Sequence, residues 1–286
     1  MDPVSIGVIG GSGLYEVDGL TDVQEVFPDT PFGKPSDSIV VASLDGVRLA
    51  FLPRHGRGHR LLPTEVPSRA NIAALKLMGV EKIISFSAVG SLCEEMAPRH
   101  FAVPTQLIDR TRHRPDTFFG DGLVGHVAFA DPFANNIGQI LYDAMGELEL
   151  TRHHGGTLVC MEGPLFSTRA ESELYRSWGA HLINMSAIPE SKLAREAGIE
   201  YGLVCMVTDY DCWHTDHDDV DIQMVLETLS LNGGNAKELL RAALPKVAAA
   251  PRDEAIAHAT QFAVITAPEK RPAETVARLK GIIDGL

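Results

Sequence analysis

The chain has 286 residues, of which 45% are hydrophobic and 22% charged, and its formal net charge is −13. The length suits one large domain or two modest ones, and the apolar fraction is sufficient for a dry core, which excludes a disordered chain and a disulfide-stapled miniprotein. The negative charge argues against a surface that binds nucleic acid or anionic lipid along its whole extent, because both need clustered Lys and Arg.

Short β-branched runs alternate with longer helical patterns along most of the chain. The pattern predicts strands over Ser5–Ile9, Ser38–Ser43, Val47–Leu52, Lys82–Phe86, Phe101–Ile108, Thr157–Met161, Leu182–Asn184 and Gly202–Thr208. It predicts helices over Ser68–Met78, Pro132–Leu148, Arg169–Trp178, Ile188–Ala197, Ile222–Ala249 and Ala273–Ile283. Because several strands are apolar on both faces, we expect an α/β protein in which helices flank a mixed β-sheet. No segment has the composition of a linker, so a single domain over residues 1–286 is predicted.

The N-terminal segment and the cysteines bear on the cellular compartment. The run MDPVSIGVIGG lacks the basic segment and cleavage site of a secretory signal, and no stretch has the apolar length needed to span a bilayer. The four cysteines have no CxxC spacing: Cys93, Cys160, Cys205 and Cys212. This pattern is typical of reduced thiols in a cytoplasmic protein rather than of metal ligands or disulfides.

The first candidate site is Gly10-Gly11-Ser12-Gly13, directly after the first predicted strand. Glycines let backbone N–H groups point at one anion and the serine hydroxyl adds a donor, which is the chemistry of a phosphate-binding nest. A dinucleotide fingerprint would need glycine at Glu16, and a Walker loop would need a Lys-Ser/Thr pair that Gly33-Lys34-Pro35 lacks. A nucleophile elbow would need glycine at Leu14. For this motif alone, a tight turn without function is an equal alternative.

The second candidate is the run PRHGRGHR at residues 53–60, which follows the third predicted strand. It places three arginines and two histidines at a strand end of a chain that is acidic as a whole. Such a local cluster predicts an anion pocket. An ordinary basic loop is the alternative, although it does not explain a second anion motif bracketed by glycines.

Two further predicted strands end in small polar residues, at Ser87-Ala88-Val89-Gly90-Ser91 and at Asn184-Met185-Ser186. Ligands of α/β sheets collect where strands end. Together with the two motifs above, four strand ends therefore carry donors suited to one oxyanion. Each motif alone is a weak indication, and their recurrence carries the prediction.

The segment Thr208-Asp209-Tyr210-Asp211-Cys212-Trp213 closes an apolar strand. Two carboxylates separated by one residue on an extended segment point to the same side, so both can contact one ligand. Crowding in partly apolar surroundings is expected to raise the pKa of at least one of them, which suits a general acid that donates to a leaving group. A negatively charged strand end that faces water is the alternative.

The remaining polar clusters do not indicate a site. The loop at residues 214–219 contains His214, Asp216, His217, Asp218 and Asp219 but no His/Glu pair at a diagnostic spacing, so a solvated loop is favoured over a metal site. The pair His153-His154 precedes two glycines and indicates a polar turn. No Ser-His-Asp or Cys-His order is established by spacing.

Nine segments in chain order resemble the S-methyl-5′-thioadenosine phosphorylase branch of the purine nucleoside phosphorylase family: IGVIGGSGLY, DTPFGKPSDSIV, PRHGRGHRLLPTEV, ANIAALKLMGV, SAVGSL, QLIDRT, EGPLFSTRAES, WGAHLINMSAIPESKLAREAGI and TDYDCW. The resemblance covers about residues 5–245. It implies a homotrimer of single α/β domains around a twisted, barrel-like mixed sheet. It also implies reversible phosphorolysis of an N-glycosidic bond, giving adenine and 5-methylthioribose 1-phosphate. Inorganic phosphate is then a co-substrate, and no metal or organic cofactor is implied.

Transferred residue by residue, the resemblance implies a phosphate site and a nucleoside site. The phosphate site comprises Ser12, Arg54, His55, Ser87, the Ala88 backbone and Ser186. The nucleoside site comprises Phe166, Ser167, Met185, Asp209 and Asp211, with Ile222, Val225 and Leu226 at the 5′-substituent and His126 from a neighbouring subunit. Asp209 and Asp211 are the implied catalytic pair: Asp209 protonates purine N7 while bound phosphate attacks C1′.

Three positions depart from the usual pattern of this branch. Ser12 replaces a frequent threonine but keeps the hydroxyl, Val89 replaces a cysteine, and Leu165 replaces an arginine, so the charge of that loop is absent. The apolar 5′ wall leaves 5′-deoxyadenosine and 5′-halo-5′-deoxyadenosines open as substrates. Competing interpretations are a 6-oxopurine phosphorylase acting on methylthioinosine, inosine or guanosine, a nucleoside hydrolase, and a catalytically idle nucleoside-binding module.

Overall fold

The computed structural model describes residues 4–11, 17–215 and 222–286, and within them eleven strands form one mixed sheet. The strands are β1 (Ile6–Gly10), β2 (Thr21–Val26), β3 (Ile39–Leu44), β4 (Val47–Pro53), β5 (Lys82–Ser91), β6 (Phe101–Val103), β7 (Gln106–Arg110), β8 (Arg152–His154), β9 (Thr157–Met161), β10 (Leu182–Asn184) and β11 (Glu200–Asp209). The helices are α1 (Ser68–Leu77), α2 (Asn135–Glu147), α3 (Arg169–Ser177), α4 (Ala187–Glu196), α5 (Ile222–Ala249), α6 (Glu254–Ala257) and α7 (Ala273–Leu279). No helix among these residues is long and apolar enough to cross a membrane.

The open sheet has the order β2-β3-β4-β1-β5-β10-β9-β7, and β11 joins β5 to a branch of β6 and β8. Parallel and antiparallel pairs are mixed, since β1 is parallel to β4 and β5 while β3 is antiparallel to β4. The predicted fold class, a mixed sheet flanked by helices, is therefore confirmed.

Strand β5 changes its partner halfway along, which shapes the site described below. Its first part, from Lys82 to Ser85, pairs with β1, whereas Gly90 and Ser91 pair with β10 on the same edge. Strand β11 pairs along the opposite edge as far as Gly90. Among the described residues, the stretch from Phe86 to Val89 therefore has no strand partner on the β1 edge. Side chains of Arg54 and Ser87 occupy the carbonyls of Phe86 and Ala88 there, which leaves the Ala88 N–H available to a ligand.

Helices cover both faces of the sheet, as the doubly apolar strands predict. Strand β11 is buried along its whole length and alternates between two cores. Leu203 and Cys205 pack into the core that contains residues of α1 and α4. Val204 and Met206 pack into the core that contains residues of α2 and α5. This two-sided burial fixes the end of β11, and thus Asp209, relative to β5.

The structure differs from the predicted elements at particular places. The predicted strand Phe101–Ile108 is two strands, β6 and β7, because Pro104 lies between them and cannot donate to a ladder. Strand β2 was not predicted, because its residues are almost all exposed and show no apolar alternation. The predicted strand Lys82–Phe86 continues to Ser91, so Ser87–Ser91 lie inside a strand and not after it. The bounds of β9, β10 and α5 agree with the prediction.

Replacing glycine by alanine is expected to have opposite effects on stability at two positions. Gly234 lies in α5, is exposed, and a Cβ added there meets nothing within 4 Å. Gly234→Ala is therefore expected to raise the free energy of unfolding by about 0.5–1 kcal/mol, because alanine is the better helix former. Gly202 lies in β11, and its added Cβ would be 2.4 Å from Ile137 Cγ2. Gly202→Ala is expected to destabilise the protein, and urea unfolding midpoints of both variants measure the contrast.

Candidate functional site

Three side chains that carry hydroxyl or amide groups meet beside the unpaired edge of β5. Ser87 Oγ lies 2.9 Å from Ser186 Oγ. The Asn184 amide donates to both hydroxyl oxygens, at 3.0 Å to Ser87 and 3.3 Å to Ser186. The antiparallel pairing of β10 with β5 produces this meeting, because it places the end of β10 alongside the middle of β5.

The Ala88 backbone faces the same region. Successive residues of a strand direct their N–H and C=O groups to alternate edges. The Phe86 carbonyl accepts from Arg54 Nη1 at 3.0 Å, so the Ala88 peptide, two residues on, faces this edge as well. A bound anion there can accept from the Ala88 N–H and from the two serine hydroxyls.

Arg54 follows β4 and is held by a buried ion pair. Its backbone N–H donates to the Gly10 carbonyl at 3.0 Å, which joins the predicted basic loop to the predicted glycine nest. Its guanidinium contacts both oxygens of Glu190 and donates to Ser85 Oγ, and the residue is 4% exposed. Four of its contacts are thus made within the described residues, which leaves one N–H of the five for a ligand.

His55 is a neutral imidazole with a defined tautomer. Its Nδ1 lies 2.9 Å from the Leu61 carbonyl, which can only accept, so Nδ1 carries the proton and Nε2 is an acceptor. Burial, followed by the charge of Arg54, lowers the pKa of His55 to about 4. Arg54, His55, Ser186 and Glu190 line a cavity of about 10 Å³, which is about the volume that one water needs.

Asp209 is a buried carboxyl at the end of β11. Thr208 Oγ1 donates to its Oδ2 at 2.6 Å, and the Asp211 backbone N–H donates to its Oδ1 at 2.8 Å. Burial raises the pKa of Asp209 to about 6, and the neighbouring Asp211 charge adds to that effect. The group is therefore able to hold and release a proton near neutral pH, in agreement with the expectation for a general acid.

The predicted arrangement of the two carboxylates was wrong in its geometry. The strand ends at Asp209, and Asp211 has a left-handed φ of 53°, so the two side chains do not project from one extended segment. A turn folds Asp211 back onto Asp209 instead. Both residues are 5% exposed, and Asp211 Oδ2 has no hydrogen-bond partner among the described residues, so it can accept from a ligand.

Close packing at Gly90 joins the two carboxylates to the cluster of Ser87, Asn184 and Ser186, which we call the serine pocket. Gly90 pairs with both Ile183 and Asp209, so it lies between β10 and β11. A Cβ added to it would lie 2.9 Å from Asp209 Oδ1 and 3.1 Å from Ile183 Cγ2. Only glycine permits this approach, which brings Asp209 at the end of β11 against β5 and places the acids and the β5 donors in one candidate site.

The loop between β9 and α3 carries Phe166 and Ser167. Thr168 and Glu171 form a capping box that begins α3 and fixes the end of this loop. The Ser167 carbonyl accepts from Cys212 Sγ at 3.3 Å, which places the loop against the segment that contains Asp211. Phe166 is 40% exposed, so its ring is available to a ligand. Met185 packs over this loop, because a Cβ on Gly163 would lie 2.5 Å from its Sδ.

The start of α5 presents the predicted 5′ wall. Ile222, Val225 and Leu226 share one face of the helix, and Ile222 and Leu226 are 62% and 57% exposed. Leu226 also borders a cavity of about 370 Å³, whose lining includes Gly11. This volume lies in the range of small-molecule sites.

Several predicted residues do not join this cluster. Ser12 lies outside the described residues. His126 is exposed and its backbone N–H donates to Ala263, and in the described part of the chain no hydrogen bond or ion pair links it to the site. Leu165 is 82% exposed. The described residues contain no group of three or more His, Cys, Asp or Glu placed to hold a metal ion, while residues 216–219 of the polar loop lie outside them.

Arg114 is a site residue that the sequence did not indicate. Its Nη1 donates to the carbonyls of Met185 and Ile188, both at 2.6 Å, and its Nη2 donates to the carbonyls of Met161 and Glu162. It thereby ties the loop that leads to Phe166 and Ser167 to the loop that carries Met185 and Ser186. Its Nε also pairs with the Glu162 carboxylate at 3.4 Å. No local pattern could reveal this role, because all these partners are distant in sequence.

Replacing Arg114 tests this connection. Arg114→Lys keeps the charge but loses the fork that reaches two loops, so we expect a rise of about tenfold or more in the nucleoside KM, with the chain still folded. Arg112 lies in the same loop and serves as the control: Arg112→Lys is expected to leave KM unchanged. Steady-state kinetics on both variants measure the difference. An unchanged KM in Arg114→Lys contradicts the positioning role.

Residues 5–245 match the family model described as the phosphorylase superfamily. The chain belongs to the phosphorylase superfamily. The match includes β1 to β11, and hence all the strands that build the site. This match confirms the superfamily part of the resemblance inferred from the nine segments, and the relatives described next confirm the branch.

Curated members of the phosphorylase superfamily are similar to this chain over nearly its whole length. An S-methyl-5′-thioadenosine phosphorylase from Geobacter sulfurreducens is 54% identical over 279 residues, which cover 97% of each chain. A protein of the same name from Yarrowia lipolytica is 50% identical and covers 96% of this chain and 91% of its own.

Solved structures of the superfamily share the fold. A methylthioadenosine phosphorylase from an Antarctic soil metagenomic library superposes with a TM-score of 0.94 at 45% identity, covering 99% of this chain and 100% of its own. A methylthioadenosine phosphorylase from Schistosoma mansoni in complex with adenine gives a TM-score of 0.82 at 33% identity, with coverage of 99% and 100%.

Proposed function

We propose that the chain catalyses phosphorolysis of S-methyl-5′-thioadenosine to adenine and 5-methylthioribose 1-phosphate. The observation that carries this function is the buried Asp209, whose pKa is raised to about 6, beside a cluster of hydroxyl and N–H donors suited to phosphate. Membership of the phosphorylase superfamily and relatives that carry this name support it.

The geometry suggests how the bond is broken. The C–N bond to the purine weakens as positive charge develops on the ribose, and the proton of Asp209 neutralises the departing base at N7. Asp211 accepts from the exocyclic amine of adenine, because its Oδ2 is buried and unpaired among the described residues. Phosphate held by Ser87, Ser186, the Ala88 N–H and the remaining N–H of Arg54 then attacks C1′. These fixed donors need little reorganisation as charge develops.

The phosphate pocket relies on oriented donors more than on free positive charge. The Arg54 charge is paired with Glu190, and the neutral His55 offers Nε2 as an acceptor. A hydroxyl of the ribose or of phosphate can donate to that nitrogen. In this proposal Arg54 fixes the position of the anion while the hydroxyl and N–H groups bind it.

A second substrate class is favoured by the 5′ wall. Ile222 and Leu226 are exposed and apolar, and the cavity beside Leu226 is larger than a methylthio group needs. One apolar group changes the free energy of binding by only about 1–3 kcal/mol, so 5′-deoxyadenosine and 5′-halo-5′-deoxyadenosines fit the same site. Methylthioinosine fits it less well, because Asp211 would face a carbonyl oxygen instead of an amine.

The assembly, cofactor and compartment follow as further parts of the proposal. Val124, Phe262 and Ile265 form an exposed apolar patch around His126, which supports self-association as a homotrimer in which His126 reaches a neighbouring site. Phosphate is the only co-substrate proposed, without metal or organic cofactor. The four cysteines form no disulfide among the described residues, and two of them are fully buried, which supports a cytoplasmic location.

A substrate panel tests the function. Turnover of S-methyl-5′-thioadenosine, 5′-deoxyadenosine, adenosine and methylthioinosine is measured by kcat/KM with and without phosphate. We expect adenine release that depends on phosphate, with the ribose recovered as its 1-phosphate. Free sugar formed without phosphate would instead indicate a hydrolase. Preference for methylthioinosine would indicate a 6-oxopurine phosphorylase.

A further inference from the structure

A buried acceptor without a partner lies at the centre of the serine pocket. Asn184 ends β10 and is 5% exposed. Its amide Nδ2 donates to Ser87 Oγ and Ser186 Oγ. Its carbonyl Oδ1 is buried and has no hydrogen-bond partner in the described part of the chain. A buried acceptor of this kind costs free energy unless a ligand or a water supplies a donor.

The orientation of this amide follows from what the serine hydroxyls have to do. If the amide were reversed, Oδ1 would accept both hydroxyl protons and none would remain for an anion. With Nδ2 facing the serines, both hydroxyl oxygens act as acceptors toward Asn184. Their protons bond the Ala88 carbonyl and the neighbouring serine oxygen, and both hydroxyls can rotate to donate to a ligand instead. Ser186 is free for this task, because it precedes α4 without capping the helix by a side-chain hydrogen bond.

We propose that Asn184 is a binding residue for the phosphorolysis, an inference that rests on the proposed function. Its Nδ2 orients the hydroxyls of Ser87 and Ser186 toward phosphate, and its Oδ1 accepts a hydrogen bond from an O–H group of the bound substrates. Two substrate groups can supply that proton: a protonated oxygen of phosphate and a hydroxyl of the ribose. The pocket then recognises its ligand through an acceptor as well as through donors.

This arrangement has a consequence for selectivity. A pocket made only of donors binds any tetrahedral dianion, including sulfate. A buried acceptor rejects a ligand that has no proton to donate. Asn184 Oδ1 and the ligand oxygen would then face each other with no hydrogen bond between them. If phosphate is the donor, sulfate is therefore excluded. If the ribose is the donor, nucleosides that lack the hydroxyl are excluded.

Variants of Asn184 test the role directly. Asn184→Ala removes both interactions and is expected to raise the KM for phosphate about 10- to 100-fold with a smaller change in kcat. Asn184→Asp keeps the shape but adds negative charge and removes the donor, so its loss is expected to be larger and to shrink as the pH falls. Asn71→Ala is the control, since Asn71 is also buried and its amide also donates to a serine hydroxyl, that of Ser36, while its Oδ1 has a protein partner and it has no part in the site. It is expected to change both KM values less than twofold.

Ligand analogues identify which group donates. Inhibition by sulfate, and the affinities of 2′-deoxy and 3′-deoxy nucleosides, are compared between the wild type and Asn184→Ala. The donor is the group that an analogue lacks when that analogue binds much more weakly than its parent ligand to the wild type but equally well to Asn184→Ala. If Asn184→Ala does not fold, the wild-type comparisons decide alone. Affinities within threefold of the parent ligands for all three analogues overturn the proposal.

The experiment separates this inference from the proposed function. Failure of the wild type to release adenine in the presence of phosphate overturns the proposed function. A wild type that does so, together with an Asn184→Ala variant whose KM for phosphate is unchanged, overturns the role of Asn184 alone.

Discussion

Asp209→Asn is expected to lower kcat on S-methyl-5′-thioadenosine by about 10²–10⁴-fold at saturating phosphate. Asparagine keeps the shape of the carboxyl but cannot transfer a proton to purine N7. The KM for phosphate is expected to change little, because the proposed phosphate donors lie on β5 and on the segments that follow β4 and β10, and not on Asp209. Asp143→Asn, on the exposed face of α2, is the matched control. A kcat that stays within tenfold of the wild type contradicts the assignment of Asp209 as the acid.

The pH dependence of the same variant gives a second measurement. A general acid must be protonated, so with a pKa of about 6 the value of kcat/KM should fall as the pH rises above about 6. The profile of Asp209→Asn should lack this descending limb above about pH 6. The stability of the fold changes with pH in the same direction. Because the pKa of Asp209 in the folded protein exceeds its ordinary value of 3.8, the contribution of Asp209 to the free energy of unfolding is fully present below pH 3.8 and is lost as the pH rises through about 6. A wild-type profile without a limb in this range contradicts the raised pKa.

Breaking the buried ion pair between Arg54 and Glu190 is expected to have the largest effect on stability. Both side chains are nearly inaccessible, and Glu190 also accepts from Ser85 and from the Tyr201 hydroxyl. Glu190→Leu leaves the Arg54 charge buried without compensation, which is expected to cost about 3–5 kcal/mol of unfolding free energy. Urea unfolding at fixed protein concentration measures the loss, because any self-association shifts the apparent stability.

The double variant Arg54→Met with Glu190→Leu separates stability from function. Removing both charges is expected to recover most of the lost free energy, since apolar residues of similar size often replace buried pairs without loss. Phosphate-dependent turnover should not recover, because the fixed N–H of Arg54 is gone. Glu147→Leu, which breaks the exposed pair with Lys246, is the control and should cost less than about 1 kcal/mol. If Glu190→Leu also lowered the free energy of unfolding by less than about 1 kcal/mol, the prediction would be contradicted.

Local pattern was sufficient for the elements with a strong period. Strands β9 and β10 and helix α5 have the predicted bounds, because their apolar residues are bounded by clear polar and glycine signals. The exposed strand β2 gave no such signal, since its pairing with β3 involves backbone atoms that any sequence provides. The extension of β5 to Ser91 was missed for a related reason: small polar residues suggest a turn, whereas β10 and β11 hold this segment extended from both sides.

The candidate site, like the fold, was predictable from the sequence only in part. The sequence by itself determined the groups of residues proposed to carry the chemistry, because glycine, serine, arginine and aspartate at strand ends reflect local backbone and charge requirements. It also determined the family, because the motifs are collinear. It could not determine that Glu190 neutralises Arg54, that Asp211 folds back onto Asp209, or that Arg114 joins two loops.

The first and third of these features depend on contacts between residues distant in the chain, such as Arg54 and Glu190, which lie 136 positions apart. The second is a short-range turn, but the left-handed φ of Asp211 that forms it has no sequence signal of its own. Only the tertiary structure decides which partners meet, and burial there sets the pKa of Asp209 and leaves Asn184 Oδ1 without a hydrogen-bond partner in the described part of the chain. The net charge of −13 excluded a broadly basic surface, but it gave no information on the pocket. In the proposed function, oriented hydroxyl and N–H groups supply the anion-binding capacity there, and the packing of β5 between β1, β10 and β11 fixes their positions.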